Sequence, residues 1–351
     1  MGSKVSEQKC PACGAPLRFD PESGRSVCDW CGTSYEIPDE DEKFDETENG
    51  SQTDNADVAE ELPIYNCKSC GAEIVTDDVS ASVKCPYCGN NIVLTEKVSG
   101  GLRPDGVIPF RIDKKSLPEA VSNFYKGKRL LPKNFFSESN IEDVYGIYVP
   151  FWLYDCTYGG KILFEGQRSS ALREGDYIVT TTAHYDVERD VSMDFKDIPV
   201  DASSKLDDAL MDSLEPFDMS DIKNFRMIYL SGFLADRFDK DSDAVRNRAE
   251  ERMRSSALKV ANANITRGNY SSITYRDDNM TANRVDTRYV LLPVYTFNVS
   301  YAGKKYSFAM NGQTGKVVGE IPSDKGKKLL WRWVPFAAVF ALVMLFLSFF
   351  S

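Results

Sequence analysis

The sequence predicts an α+β protein: two tandem cysteine ribbons, an antiparallel-sheet α+β body with a candidate internal repeat, and one C-terminal transmembrane helix. Three observations predict it. Eight of the nine cysteines fall into four CxxC pairs within the first 88 residues. From about residue 104 to 322, runs rich in aromatic and β-branched residues alternate with stretches of helical periodicity. The final 19 residues, WVPFAAVFALVMLFLSFFS, carry no charge.

The cysteine unit repeats. Cys10, Cys13, Cys28 and Cys31 recur 57 positions later as Cys67, Cys70, Cys85 and Cys88, with the internal spacing unchanged. Gly14 and Gly32, each directly after the second Cys of a pair, recur as Gly71 and Gly89. In a zinc knuckle the backbone folds back so that its amides point at sulfur, and a residue without Cβ tolerates that geometry. Four thiolates at ~2.3 Å complete a closed tetrahedral site, structural because no position stays open to substrate. The pattern predicts two Zn2+ per chain, one in zinc ribbon 1 (residues 1–37) and one in zinc ribbon 2 (64–98), each held by its own ribbon's four thiolates. A redox dithiol needs an exposed pair on a thioredoxin-like βαβ unit, which these short, loop-rich stretches are not. Iron in a rubredoxin-like site uses the same ligands, so ligand type alone leaves the choice of metal open.

Between the ribbons, residues 38–63 (PDEDEKFDETENGSQTDNADVAEELP) have few apolar side chains and no periodicity, which predicts a disordered acidic linker. The charge balance points the same way. Of the formal −11, residues 38–62 contribute −10 and each ribbon only −1, while 99–351 sum to +1. Neither ribbon is basic, so a polyanion partner is disfavoured. MGSKVSEQK has no apolar run behind its lysines, and with the CxxC thiols this predicts a reducing, cytosolic setting without a signal peptide.

The body (99–322) reads in order. VIPFRID and KKSLPEAVSNFYKG suggest a strand and a short helix. VYGIYVPFWLYDCTYGGKILFEG reads as a hairpin turning at Gly159-Gly160, followed by strand in DYIVTTTAHYDVERDVSM. SSKLDDALMDSLEPF and DKDSDAVRNRAEERMRSSALKVANANI look helical, the first with Leu206, Ala209, Leu210 and Leu214 on one face. YVLLPVYTFNVSYAGKKYSFAMNGQTGKVVGEIP closes the region as two or three antiparallel strands. Residues 148–161 align without gaps on 291–304, an offset of 143, matching Pro150 with Pro293, Tyr158 with Tyr301 and Gly160 with Gly303. The body is therefore a candidate pair of related halves, sharing a sheet or packed face to face.

At ~1.5 Å per residue, 333–351 is just long enough to cross a ~30 Å hydrocarbon core. Lys325, Lys327, Lys328 and Arg332 lie upstream in a basic juxtamembrane segment (323–332), with Trp331 and Trp333 at the boundary. The expectation is a single-pass tail anchor in the cytoplasmic membrane, bound to membrane lipid, with the N-terminal domains facing the cytosol.

No catalytic constellation is legible. His184, in TTTAHYDV, is the single histidine and reads as a structural hydrogen-bonder, and Cys156 as a small buried strand residue. GxSxG, HExxH and Rossmann patterns are absent, and GQTGKVVG lacks the phosphate-loop spacing. A turn explains it better, with Asn311-Gly312 and Thr314-Gly315 as the turn residues.

Two ribbons, YVPFWLY, the run from Leu291 to Gly319 and a terminal hydrophobic stretch together resemble a bacterial family of double zinc-ribbon membrane proteins of the YdjG type. Its members are often labelled general-transcription-factor-type zinc ribbon or replication-restart-helicase-like proteins. The resemblance implies an envelope-stress complex with phage-shock-protein-A-like and flotillin-like partners. It does not supply a Walker A loop, so the helicase label has no support in the residues. The expectation is a non-enzymatic, membrane-anchored scaffold or adaptor. A zinc-ribbon nucleic-acid-binding protein acting in replication or transcription is the alternative, and the near-neutral ribbons count against it.

Overall fold

The computed structural model describes residues 10–15, 17–37, 64–67, 69–75, 83–85, 87, 91–92, 103–132, 134–137, 141, 144–265 and 269–349. The segment expected to be a disordered linker, 38–63, lies outside the described residues.

Ribbon 1 is a three-stranded antiparallel sheet of β1 (Arg18–Asp20), β2 (Arg25–Val27) and β3 (Ser34–Tyr35). In ribbon 2, β4 (Ile64–Asn66) pairs with β5 (Glu73–Val75), and β6 (Val83–Lys84) with β7 (Asn91–Ile92). The body follows with β8 (Gly106–Val107), α1 (Leu117–Tyr125), β9 (Tyr145–Glu174), β10 (Tyr177–Asp201), α2 (Asp208–Leu214), β11 (Lys223–Asn224) and β12 (Leu234–Asp236). It continues through α3 (Ser242–Ala263), β13 (Ser272–Asp278), β14 (Thr281–Tyr301), β15 (Lys304–Asn311), β16 (Val317–Gly319) and α4 (Lys325–Phe349). The fold is α+β, mostly sheet, with four α-helices among the described residues.

Two long strands organise the sheet. β9 pairs antiparallel with β10 along nearly its whole length, and its first half pairs antiparallel with β14 on the other side. β15 and β16 extend the sheet beyond β14, while β12 and β8 add parallel pairs to β9 and β14. Side chains on successive strand residues point to opposite faces, and here both faces are buried. Tyr148, Trp152, Tyr154, Cys156 and Tyr158 of β9 join one cluster, with Tyr289, Leu291, Tyr295 and Phe297 of β14. Ile147, Val149, Phe151 and Leu153 join the other, with Val290, Leu292 and Val294.

α3 covers the first face. Asp241 caps it, its carboxylate accepting from the Ala244 amide at 2.8 Å. Val245, Ala249, Met253, Ala257 and Ala261 recur every four residues and form its buried stripe. Alanines at three of those five positions let the helix lie close to the strands. α2 covers the second face with Met211 and Leu214.

Two expectations are corrected. Gly159-Gly160 does not turn the chain: both lie inside β9, opposite Ser192 and Val191 of β10. A Cβ on Gly159 would come 2.3 Å from the Val191 carbonyl oxygen, and one on Gly160 2.8 Å from the Asn279 oxygen. The glycines are there because neighbouring backbone approaches closely. The hairpin instead turns at Gly175, with φ +63°.

The second correction concerns the membrane. Among the described residues no helix is long and apolar enough to cross one. α4 runs 25 residues, but its first turns carry Lys325, Lys327, Lys328 and Arg332. Among the described residues the uncharged helical part, 333–349, covers 17 residues, or about 25 Å against a ~30 Å core. The start of the helix is also engaged with the body. The Lys327 ammonium donates to the Leu131 carbonyl at 2.6 Å, and Arg129 lies over the Trp331 ring at 4.8 Å. Asp324 caps the helix, accepting from the Lys327 amide at 3.0 Å. The expected transmembrane helix, its lipid contact, the single-pass membrane location and the cytosol-facing topology built on it are therefore withdrawn.

Candidate metal centre

In ribbon 1 the sequence dictates two matching knuckles. The Gly14 amide donates to the Cys10 carbonyl at 2.8 Å, and the Cys10 amide to the Ala15 carbonyl at 2.7 Å. Gly32 and Cys28 repeat this, with Cys28 donating to Thr33. Gly14 and Gly32 take φ of +76° and +71°, the left-handed conformation that only glycine adopts freely. The knuckles bring the sulfurs of Cys10, Cys13, Cys28 and Cys31 within 4.8 Å of one another.

Cys10 and Cys31 Sγ are 3.5 Å apart, as are Cys13 and Cys28 Sγ. A tetrahedron of ~2.3 Å Zn–S bonds has edges of about 3.8 Å, whereas a disulfide requires ~2.05 Å. The four thiols fit one tetrahedrally bound ion. Neighbouring hydroxyls shape their acidity. The Tyr35 hydroxyl, 3.5 Å from Cys10, draws that thiol down to about 6, and the Thr33 hydroxyl, 3.2 Å from Cys31, lowers that one too. The Ala15 amide pulls Cys13 down, but sharing with Cys28 and burial hold it up at about 12. Tyr35 and Thr33 carry no spacing signal, and sequence reasoning missed both.

Ribbon 2 repeats the first knuckle: Gly71 (φ +73°) donates to the Cys67 carbonyl at 2.7 Å, and Cys67 to Ala72 at 2.8 Å. Cys67, Cys70 and Cys85 form a second cluster, with Cys70 and Cys85 Sγ 3.6 Å apart. Cys88 and Gly89 lie outside the described residues.

Both ribbons are built into the body. β5 pairs with β12 (Val75 with Ala235, Ile74 with Asp236), which inserts ribbon 2 into the main sheet. Cys67, Ala72, Ile74 and Cys85 belong to the same buried cluster as Phe151 and Leu292. Behind this seam the Asp236 carboxylate is fully buried, accepting from the Ser203 hydroxyl at 2.6 Å and the Lys205 ammonium at 3.2 Å. Burial pushes Asp236 up and Lys205 opposes it. Tyr87 of ribbon 2 packs here, its hydroxyl pushed well above the phenol range by burial first and the Asp236 charge second. Ribbon 1 meets the other face. Phe19 is edge-on to Tyr229 at 5.4 Å, and its amide donates to the Ser231 carbonyl at 3.4 Å.

The remaining candidates have structural surroundings. His184 Nδ1 lies 2.6 Å from Glu165 Oε1, and Glu165 also pairs with Arg276 and accepts from Gln167. Cys156 is buried, with its thiol pushed up by burial and its sulfur 3.1 Å from Met253 Sδ. Asn311 forms a turn into β16: its carboxamide oxygen accepts from the Gln313 and Thr314 amides at 2.8 and 2.9 Å. Its nitrogen donates to the Leu214 carbonyl, and the Gln313 side chain bonds both the amide and the carbonyl of Asp218. These two residues thus fasten the segment after α2 to the sheet.

A closed four-thiol cluster on a small sheet, docked against a two-faced α+β body, is compatible with a zinc ribbon in which an ion would have a structural place. The chain is 36% identical over 327 residues, 93% of either chain, to the uncharacterized protein YdjG of Bacillus subtilis (strain 168). It belongs to the YdjG family. No family model and no solved structure matches it.

Proposed function

We propose that the protein is a non-enzymatic scaffold or adaptor in which each ribbon holds one structural Zn2+ and the ribbon-bearing body docks protein partners. The observation that carries this reading is the four-sulfur cluster of ribbon 1, which spends every coordination position on the chain and leaves none for a substrate. Thiolate sulfur and tetrahedral spacing suit zinc. Burial of Cys67 and Cys85 of ribbon 2 in the body's own core supports a structural use. The partners are proteins, of the phage-shock-protein-A-like and flotillin-like kinds that the resemblance implies. The test is affinity purification of the tagged full chain with identification of co-eluting proteins, beside the variant Cys10→Ser with Cys13→Ser. Specific protein partners lost or weakened in the variant support the scaffold. Nucleic acid as the sole specific companion would overturn it.

A further inference from the structure

We infer that the outer edge of β10, near the tip of the β9–β10 arm, pairs with the same edge of a second copy of this chain. This goes beyond the scaffold reading and does not depend on it. β13 pairs with β9 only as far as Gln167. Beyond it, among the described residues, 168–174 and 177–183 have strand partners only in each other, and every residue in both stretches is exposed. At ~3.3 Å per residue this arm projects about 23 Å.

The two edges of the arm are not alike. Proteins blunt free edges with charge, proline or bulges. The β9 edge carries Arg168 and Arg173, and its base is held by Arg168 Nε donating to the Asn269 carbonyl at 2.8 Å and the Ser169 amide donating to Ser271 at 3.0 Å. The β10 edge, YIVTTTA over 177–183, has no charge and no proline, and its register first shifts only at Phe195/Ile198. Tyr177 and Ile178 are 77% and 74% exposed.

The register selects the occupant. Glu174 and Tyr177 close a two-residue loop as a bonded pair, so Ile178, Thr180, Thr182 and His184 turn their N–H and C=O groups outward. A twofold axis at Thr180 sets Thr180 opposite itself and Ile178 opposite Thr182, each through outward-facing groups. The same axis sets His184 opposite Asp176 of the second copy, so no like charges meet. Pairing ends where the second chain turns at Gly175, and the two bodies lie at opposite ends of the joined arms.

The test is sedimentation of the full chain in nonionic detergent, which suppresses association through the exposed apolar side chains of α4. A dimer is expected at micromolar concentration. Thr180→Pro removes an amide that faces away from β9, so it should shift the chain to monomer with the arm intact. Ile178→Lys with Thr182→Lys should also give monomer, while Ile178→Lys with Thr182→Glu restores the dimer. Thr180→Cys should cross-link under mild oxidation beyond the wild-type background, since facing Cα atoms ~5.5 Å apart suit a disulfide. A wild-type monomer at every concentration overturns the proposal. So does a dimer indifferent to these substitutions.

Discussion

Val149 of β9 lies directly opposite Leu292 of β14, both fully buried, and a local twofold axis through this pair relates the two long strands. The axis carries residue i of β9 to i + 143 of β14, the offset at which 148–161 matches 291–304. The short parallel strands obey the same relation. Leu234 and Ala235 pair with Ile147 and Tyr148, while Gly106 and Val107 pair with Val290 and Leu291, an offset of 128 between the short strands. Asp113 and Asp241, which cap the helical turns that follow, stand the same 128 apart. Two β-α-β-β units whose first strands exchange long-strand partners would give both offsets at once, with β13 as an extra strand after the helix of the second.

Gly159→Ala should destabilise the protein by about 1–3 kcal/mol, the cost of overpacking a site that cannot relax. The added methyl would meet the Val191 oxygen and, at 3.0 Å, the Ser192 Cα, both backbone atoms fixed by the β9–β10 register. Urea unfolding measures it. A loss below about 0.5 kcal/mol would mean that the strands are farther apart than described.

Asp278 should make stability sensitive to acid. Burial alone would raise its pKa, but hydrogen bonds from Arg254 and Tyr275 outweigh it and hold the carboxyl below the usual aspartate range. A depressed carboxylate contributes its stability above its unfolded value, near pH 4, and loses it as pH falls through the folded value. Asp278→Asn should therefore cost about 1.5–3 kcal/mol at pH 7, as for a lost charged hydrogen bond. The difference should narrow as pH drops toward 3. A cost that stays constant with pH would show that the ion pair between α3 and β13 contributes nothing.

Nucleic-acid affinity should be weak at physiological salt. Each ribbon sums to −1 and the intervening segment to −10, so few counterions would be released on binding. A gel shift with the full chain is the measurement. Submicromolar binding that survives moderate salt would contradict the charge argument.

What was legible in the sequence was local. The Cys10 set and its knuckle glycines follow from spacing, and β14, β15, β16 and α3 from periodicity and turn residues. Gly159-Gly160 misled because a close strand contact and a hairpin turn select glycine for the same missing Cβ. The stretch at 333–351 misled because composition counts apolar residues, whereas a span depends on continuous helix length, and the helix starts amid cations, one of which, Lys327, is bonded to the body. The docking of the ribbons left no local mark. Only the pairing of β5 with β12 and the contact with Tyr229 place Ile74 and Phe19 against residues more than 150 positions away.

The two ribbons should respond unequally to loss of their ions. Metal bound only in the folded state contributes its binding energy to folding, so each ribbon should loosen when its thiolates are removed. In ribbon 1 the damage should stay near Phe19, Tyr229 and Ser231, because β1, β2 and β3 form a separate sheet. In ribbon 2 it should spread. β5 is hydrogen-bonded into the main sheet, Cys67 and Cys85 are part of the core that holds Val149 and Leu292, and Tyr87 helps to cover Asp236. Opening that seam exposes a buried carboxylate and apolar surface together. Cys10→Ser with Cys13→Ser should lower bound zinc by one equivalent and leave the main thermal transition within a few degrees of wild type. Cys67→Ser with Cys70→Ser should lose the other equivalent and depress that transition markedly, with limited proteolysis reaching β12. Metal analysis, calorimetry and proteolysis on both variants decide it. Equal shifts in the two, or a wild-type chain without close to two zinc, would refute the asymmetry.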